Sequence, residues 1–231
     1  MDEHPRPPQV VVLDVNETLS DMSPMAARWE DVGAPAHLAR QWFAEVLRDG
    51  FAVAAAGASV AFATVAAATA SRLLADVQPG GEEREAAVAH VIAGFGVLDV
   101  HPDVPDGLRA LRASGTRLVT LTNGSASVAV DLLERAGLRD EVEAFLSVED
   151  APRWKPAPEA YAYAVRRCGV PAAEMMLVAV HPWDVDGAAR AGLRTAWVDR
   201  RGTDYPAFLT PPELTVASLT ELARVLDPAG A

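Results

Sequence analysis

The sequence predicts an α/β protein: a doubly wound parallel sheet whose core is split by an all-helical insertion just after the first strand. Three observations predict it. Val10-Val11-Val12-Leu13 is a run of four apolar residues, three of them β-branched, which reads as a strand buried on both faces. From about Val100 onward, helical and β-rich runs alternate in the rhythm of βαβ units. Between these regions, from Ser20 to about Gly96, only helical patterns occur.

The elements follow in order. In the insertion, helical patterns at 25–32, 36–51, 62–74 and 82–94 are separated by Gly33-Ala34-Pro35, Gly57-Ala58-Ser59 and Gln78-Pro79-Gly80-Gly81. A short amphipathic helix at 106–114 precedes a β-rich run at 117–121 that ends at Thr122-Asn123. A helix at 126–136, closed by Gly137, leads to a strand at 144–148 and a helix at 157–168. A strand at 175–180, a helix at 185–191 stopped by Gly192, and a strand at 195–198 complete the series. The Pro-rich tail after Tyr205 is expected to hold one edge strand and a short helix. The expected domains are a core of residues 1–20 and 97–231 and a helical cap of residues 21–96.

Composition bounds the function. With 231 residues and a net charge of −12, the chain lacks the basic surface that nucleic acid requires. An acidic surface also repels anions at long range, so any anionic substrate needs a local cluster to hold it. The single Cys168 excludes an internal disulfide and fits a reducing compartment. No signal peptide is evident, and the run 51–70 is built on alanine and broken by Gly57, Ser59 and Thr64. It reads as buried helices rather than a membrane span. The cytoplasm is the expected compartment.

Chemistry-bearing residues cluster where predicted strands end. These are Asp14 and Thr18, then Thr122-Asn123-Gly124-Ser125, then Lys155 before Pro156, then His181 and Asp184. In a parallel sheet all of them lie along its carboxyl edge, where open α/β sheets bind ligands. Asp14 is a candidate nucleophile, since a carboxylate can form an ester that water later breaks. Alone, each has a plainer explanation: Asn123-Gly124 as a turn, Lys155 as a solvated side chain, Asp184 as a helix N-cap. Their joint position favours function.

The order DxxxT, then (S/T)NG, then KP, then an acid before a Gly-Ala-containing helix resembles the haloacid dehalogenase superfamily over nearly the whole chain, cap included. Gly137-Leu138-Arg139-Asp140, Lys155-Pro156 with Tyr161, and Trp183-Asp184 before Gly187-Ala188 look closest to its L-2-haloacid dehalogenase branch. The resemblance implies a HAD-like Rossmannoid core, a hydrolase acting on a small halogenated carboxylic acid, no cofactor and no metal, with pairing into a homodimer possible. The superfamily also contains Mg²⁺-dependent phosphatases. These resemble the chain but carry an acid two residues after the nucleophile and another before the fourth-motif aspartate. Here Asn16 and Val180 stand in those places. An amide cannot protonate a leaving alkoxide, whereas a halide leaves without a proton. Mg²⁺ belongs only to the phosphatase alternative; a third alternative is a weakly active, ligand-binding member.

The resemblance implies that Asp14 displaces halide and that Asp184 orients the water that opens the ester. Lys155 keeps Asp14 ionised. Thr18 and Thr122 supply hydroxyls, Asn123 supplies amide donors toward the carboxylate or halide, and Tyr161 helps hold the lysine and substrate. The chain also departs from the dehalogenase pattern. Asn16-Glu17 replaces a Tyr-Gly pair, and Ala179 and His181 stand where serine and asparagine are usual. His181, with its near-neutral reference pKa, could orient water or act as a base. The cap arginine that grips the substrate in that branch follows a tryptophan. Here Trp42 is followed by Phe43, and the nearest arginines are Arg40 and Arg48. Arg48, six positions on and roughly 240° farther round a helix, is kept with Trp42 as a candidate substrate contact. Trp29, Trp42, Phe43, Phe51 and Phe62 are expected mainly to pack cap on core, and Trp154 and Trp183 to form pocket walls.

Overall fold

The computed structural model describes residues 7–227. Its centre is a six-stranded, all-parallel sheet in the order β3-β2-β1-β4-β5-β6. The strands are β1 (Val10–Leu13), β2 (Arg117–Thr122), β3 (Ala144–Ser147), β4 (Met175–Ala179), β5 (Arg194–Val198) and β6 (Leu214–Val216). β1 is buried throughout, as its apolar run requires, and is flanked by β2 and β4. The pleat divides its side chains. Val11 and Leu13 join the apolar cluster of α5 (Val104–Ala113), α6 (Ala126–Arg135) and α9 (Leu219–Leu226). Val10 and Val12 join the opposite cluster, with α7 (Pro158–Cys168) and α8 (Pro182–Arg190). The sheet is therefore covered on both faces. The chain's direction of travel reverses between β1 and β4, which makes the carboxyl end of β1 the topological switch point.

Four helices fill the insertion: α1 (Met25–Glu30), α2 (Leu38–Ala55), α3 (Phe62–Leu73) and α4 (Gly81–Phe95). Where the chain leaves and rejoins the core, Ser20 and Val100 form an antiparallel bridge. The bonds from Asp21 N–H to the Asp99 carbonyl (2.8 Å) and from His101 N–H to the Leu19 carbonyl (2.9 Å) tie the two crossings together. Insertion and core share one apolar cluster that includes Trp29, Trp42 and Phe43. A large aromatic side chain buries roughly 150–250 Å², on the order of 4–6 kcal/mol before entropy is subtracted.

Element types match the expected series, but several boundaries move; α2, for one, runs Leu38–Ala55 where 36–51 was expected. α5 begins at Val104 and α8 at Pro182, two and three residues before the helices read from apolar periodicity. In both, proline lies in the first turn, where its missing N–H costs nothing. Proline reads as a break when it in fact starts the helix. One consequence is that Asp184 lies inside the first turn of α8 and is not its N-cap, a position held by His181. The run 51–70 forms the end of α2, a turn at Gly57 (φ +86°) and part of α3. Among the described residues no helix is long and apolar enough to cross a membrane.

Candidate active site

Asp14 follows β1 directly, and its N–H donates to the Val178 carbonyl of β4 (3.0 Å). The carboxylate is thus fixed at the switch point, with only 4% of the residue exposed. Lys155, fully buried, donates from Nζ to Asp14 Oδ1 (2.8 Å) and to Asp184 Oδ2 (2.7 Å). Thr18 donates its hydroxyl to Asp14 Oδ2 (2.7 Å), and its Oγ1 accepts the Val180 N–H (3.1 Å). With His181 Nδ1 at 3.1 Å from Oδ2, three side chains, one of them 167 positions away in sequence, meet on one carboxylate.

The two acids are driven apart. Burial alone would raise the pKa of Asp14, but the charge of Lys155 and the hydrogen bond and charge of His181 outweigh it and hold Asp14 below the usual carboxylate range. Burial raises Asp184, and the negative charge of Asp14 adds to that rise against the pull of Lys155 and Tyr161. One carboxylate is thereby kept ionised while its neighbour is made the better proton acceptor, a pattern that separates nucleophile from base. For Lys155, burial alone would lower the pKa, but the two acids outweigh it and keep the ammonium charged.

The structure shows the partners of the other candidates. Asn123 bonds the backbone of Lys155: its Nδ2 donates to the Lys155 carbonyl (3.1 Å) and its Oδ1 accepts the Lys155 N–H (2.9 Å). It clamps the lysine's backbone. Tyr161 donates to Asp184 Oδ1 (2.6 Å), which steadies the second acid. Burial and the Asp184 charge raise its pKa well above normal, keeping the phenol a donor. Arg48 is not brought to the cluster. Its side chain is 58% exposed and pairs with Asp49 (2.8 Å), because α2 turns its Trp42 and Val46 faces inward and this one outward. Trp154 is not a cavity wall but a pin. Its indole donates to the Val60 carbonyl (2.8 Å) between α2 and α3, and its ring stacks on Phe62 at 5.7 Å.

A cavity of about 190 Å³ opens at the loop that follows Asp14, lined there by Val15 and Asn16 and not by Asp14 itself. Asn16 and Thr122 line it from the core, and Trp42, Phe62 and Phe95 from the insertion. Trp42 is oriented by the bond from its indole to the Ala66 carbonyl (2.9 Å). Thr122 Oγ1 accepts the Gly124 N–H (3.0 Å), leaving its own proton free to donate. Among the described residues, those lining the cavity include no lysine or arginine.

His181 is placed where its ring nitrogens meet two carboxylates, Asp14 Oδ2 at 3.1 Å and Glu17 Oε2 at 2.9 Å. Glu17 was no candidate from sequence. Nothing local pairs it with a histidine 164 positions away; the usable signal was an acid three residues after the nucleophile. Burial alone would lower the His181 pKa, but bonds to Asp14 and Glu17 prevail and raise it from 6.5 to about 9. The folded state thus binds this proton more tightly than the unfolded chain. The stability it contributes is complete below pH 6.5 and is lost as pH rises through about 9. Thermal melts across that interval should show Tm falling, and a flat profile would disprove the assignment.

Gly187 of α8 backs the site. A Cβ there would stand 2.6 Å from the Tyr161 hydroxyl and 2.7 Å from Pro156 Cβ. Gly187→Ala is expected to destabilise the fold by about 1–3 kcal/mol, as overpacked cores do, in urea unfolding. It should also displace Tyr161 from Asp184.

Sheet order and site together define a class: capped, doubly wound α/β proteins with two carboxylates sharing a buried lysine at the switch point. Residues 8–192 match the family model of haloacid dehalogenase-like hydrolases, and the chain belongs to that family. It is 33% identical over 129 residues to haloacetate dehalogenase H-2 of Moraxella sp. (strain B), covering 56% of this chain and 58% of the relative. It is 32% identical over 127 residues to an (S)-2-haloacid dehalogenase of Pseudomonas sp. (strain YL), covering 55% of each. The chain spans little more than half the length of these curated relatives. A solved L-2-haloacid dehalogenase superposes with a TM-score of 0.88 at 28% identity, over 96% of this chain and 99% of the other.

Proposed function

We propose that this protein hydrolyses the carbon–halogen bond of a small 2-haloalkanoic acid through an ester on Asp14. The observation that carries this is the buried Asp14–Lys155–Asp184 array beside an amide, Asn16, where a phosphatase needs its acid. Asp14 attacks the carbon bearing halogen, and the halide leaves with the bonding pair. Water then adds to the Asp14 carboxyl carbon and gives a proton to Asp184, and the hydroxy acid departs with that proton. The regenerated carboxyl releases one proton to solvent. Neither step needs a metal, because halide leaves unprotonated. The similar proteins named for haloacetate and (S)-2-haloacids support the substrate class. Residues 21–96 act as the cap, whose aromatic residues exclude water from the cavity. With no cation lining it, the substrate carboxylate is held by neutral donors, the Asn16 amide and the Thr122 hydroxyl. The net charge of −12 supports a protein without nucleic-acid partners. We place it in the cytoplasm, with the Ala-rich cap helices available to pair in a homodimer.

The test is halide release from chloro-, bromo- and fluoroacetate and L-2-chloropropionate, beside phosphate release from an aryl phosphate, each with Mg²⁺ and with EDTA. Halide release indifferent to EDTA is expected. Phosphate release that EDTA abolishes, with no halide, would overturn the proposal.

A further inference from the structure

The two oxygens of Asp14 are not equivalent. Among the described residues, Oδ2 accepts two donors, the Thr18 hydroxyl (2.7 Å) and His181 Nδ1 (3.1 Å), whereas Oδ1 accepts only Lys155 Nζ (2.8 Å). A carboxylate oxygen offers two in-plane lone pairs. Oδ2 is therefore filled, and Oδ1 keeps one pair free to attack carbon. Once Oδ1 carries the substrate, Oδ2 is the ester carbonyl. It is the atom on which negative charge gathers when water adds.

We propose that His181 is a catalytic residue for ester hydrolysis: its Nδ1–H and the Thr18 hydroxyl form an oxyanion pocket around Asp14 Oδ2, with Glu17 as the positioning residue that holds the ring. The proposal rests on the ester mechanism proposed above. Water oxygen bonds to the Asp14 carboxyl carbon, the carbonyl pair moves onto Oδ2, and the water proton passes to Asp184. As the pair returns, the bond from that carbon to Oδ1 breaks, and the departing oxygen takes the proton from Asp184.

Three observations support a charged ring. Both nitrogens face carboxylate oxygens, so both must carry hydrogen. Histidine's surroundings are dry: the side chain is 12% exposed, with Trp183 stacked at 5.0 Å and Phe43 at 6.3 Å. Glu17 holds its carboxylate there from a left-handed backbone (φ +61°), which a non-glycine residue adopts at a cost. The charged groups that face His181 are Asp14 and Glu17 from the loop after β1. Lys155 and Asp184 reach it through Asp14, and the His101 ring bonds the Glu17 carbonyl. A fixed cation in a dry site favours the oxyanion over the neutral ester, so it accelerates the second step. By stabilising the ionised carboxylate it does not help the first.

The test mixes bromoacetate with wild type, His181→Asn and Glu17→Gln, following halide by rapid quench and the covalent adduct by intact mass. His181→Asn keeps a short side-chain donor but removes the cation. It should release one halide per site at a rate within about tenfold of wild type. It should then accumulate the ester and turn over at least about tenfold more slowly, because a neutral amide is a weaker donor to the oxyanion than a charged ring. Glu17→Gln should move the alkaline limb of kcat to lower pH, a change that a merely structural role would not produce. Wild-type kcat in His181→Asn, equal losses in both steps, or an unmoved limb would overturn the role of His181. A wild-type protein that releases no halide and forms no adduct would overturn the ester mechanism itself.

Discussion

Replacing Asp14 by Asn is expected to abolish halide release, by at least about 10⁴-fold, because an amide oxygen is a poor nucleophile and no other group is placed to form the ester. The shape is conserved, so the loss reads chemistry and not packing. The substituted amide would present its NH₂ either to Lys155 or to Thr18 and His181, all of which donate in the native site. At least one donor must then go unmatched, at about 1–3 kcal/mol each. Intact mass after incubation with bromoacetate should show no adduct on the variant, where the wild type forms a transient one. Turnover that survived would show that Asp14 is not the nucleophile. The acid limit of stability follows from the same carboxylate. Its folded pKa is lowered, so the stability it adds is present above the ordinary value of 3.8 and is lost as pH falls toward the folded value.

Lys155→Met should be nearly as damaging, and to stability as well. The ammonium is fully buried and is bonded to both acids at 2.8 and 2.7 Å. Without it, Asp14 and Asp184 face each other as buried like charges. Breaking a buried ion pair in this way costs about 3–5 kcal/mol, which urea unfolding would measure. The protein is expected to keep a proton on the pair, since two neighbouring carboxylates cannot both ionise cheaply. Halide release should therefore fall at neutral pH by about 10² or more, with the acid limb of the pH profile moved upward. A profile that kept the wild-type limb would show that Lys155 does not set the charge of Asp14. Arginine is no substitute in a cavity that fits one ammonium between two acids.

How far the site was legible differs from residue to residue. Asp14, Thr18, Lys155 and Asp184 could be read as neighbours because each follows a strand of a parallel sheet, and the topology gathers such positions at one edge. Tyr161 and Asn123 were legible as members of the neighbourhood, but their partners were not. Whether an amide faces a ligand or clamps a backbone depends on where a loop 32 residues away passes. The orientation of Arg48 depended on which face of α2 docks, and two arginines on that helix gave no means of choosing. Glu17 carried only the signal of an acid three residues after Asp14, and nothing in it pointed to His181.

The sequence by itself determined the element types, the parallel architecture with its helical insertion, and the gathering of Asp14, Lys155 and Asp184. These follow from short-range periodicity and from the order of strands and helices, both written along the chain. Only the tertiary structure decided which oxygen of Asp14 is filled and which acid is pushed up. It alone paired His181 with Glu17 and left the cavity beside the first strand without a cation. Those are properties of hydrogen bonds and burial between residues up to 167 positions apart, and such distances close only when the sheet is assembled.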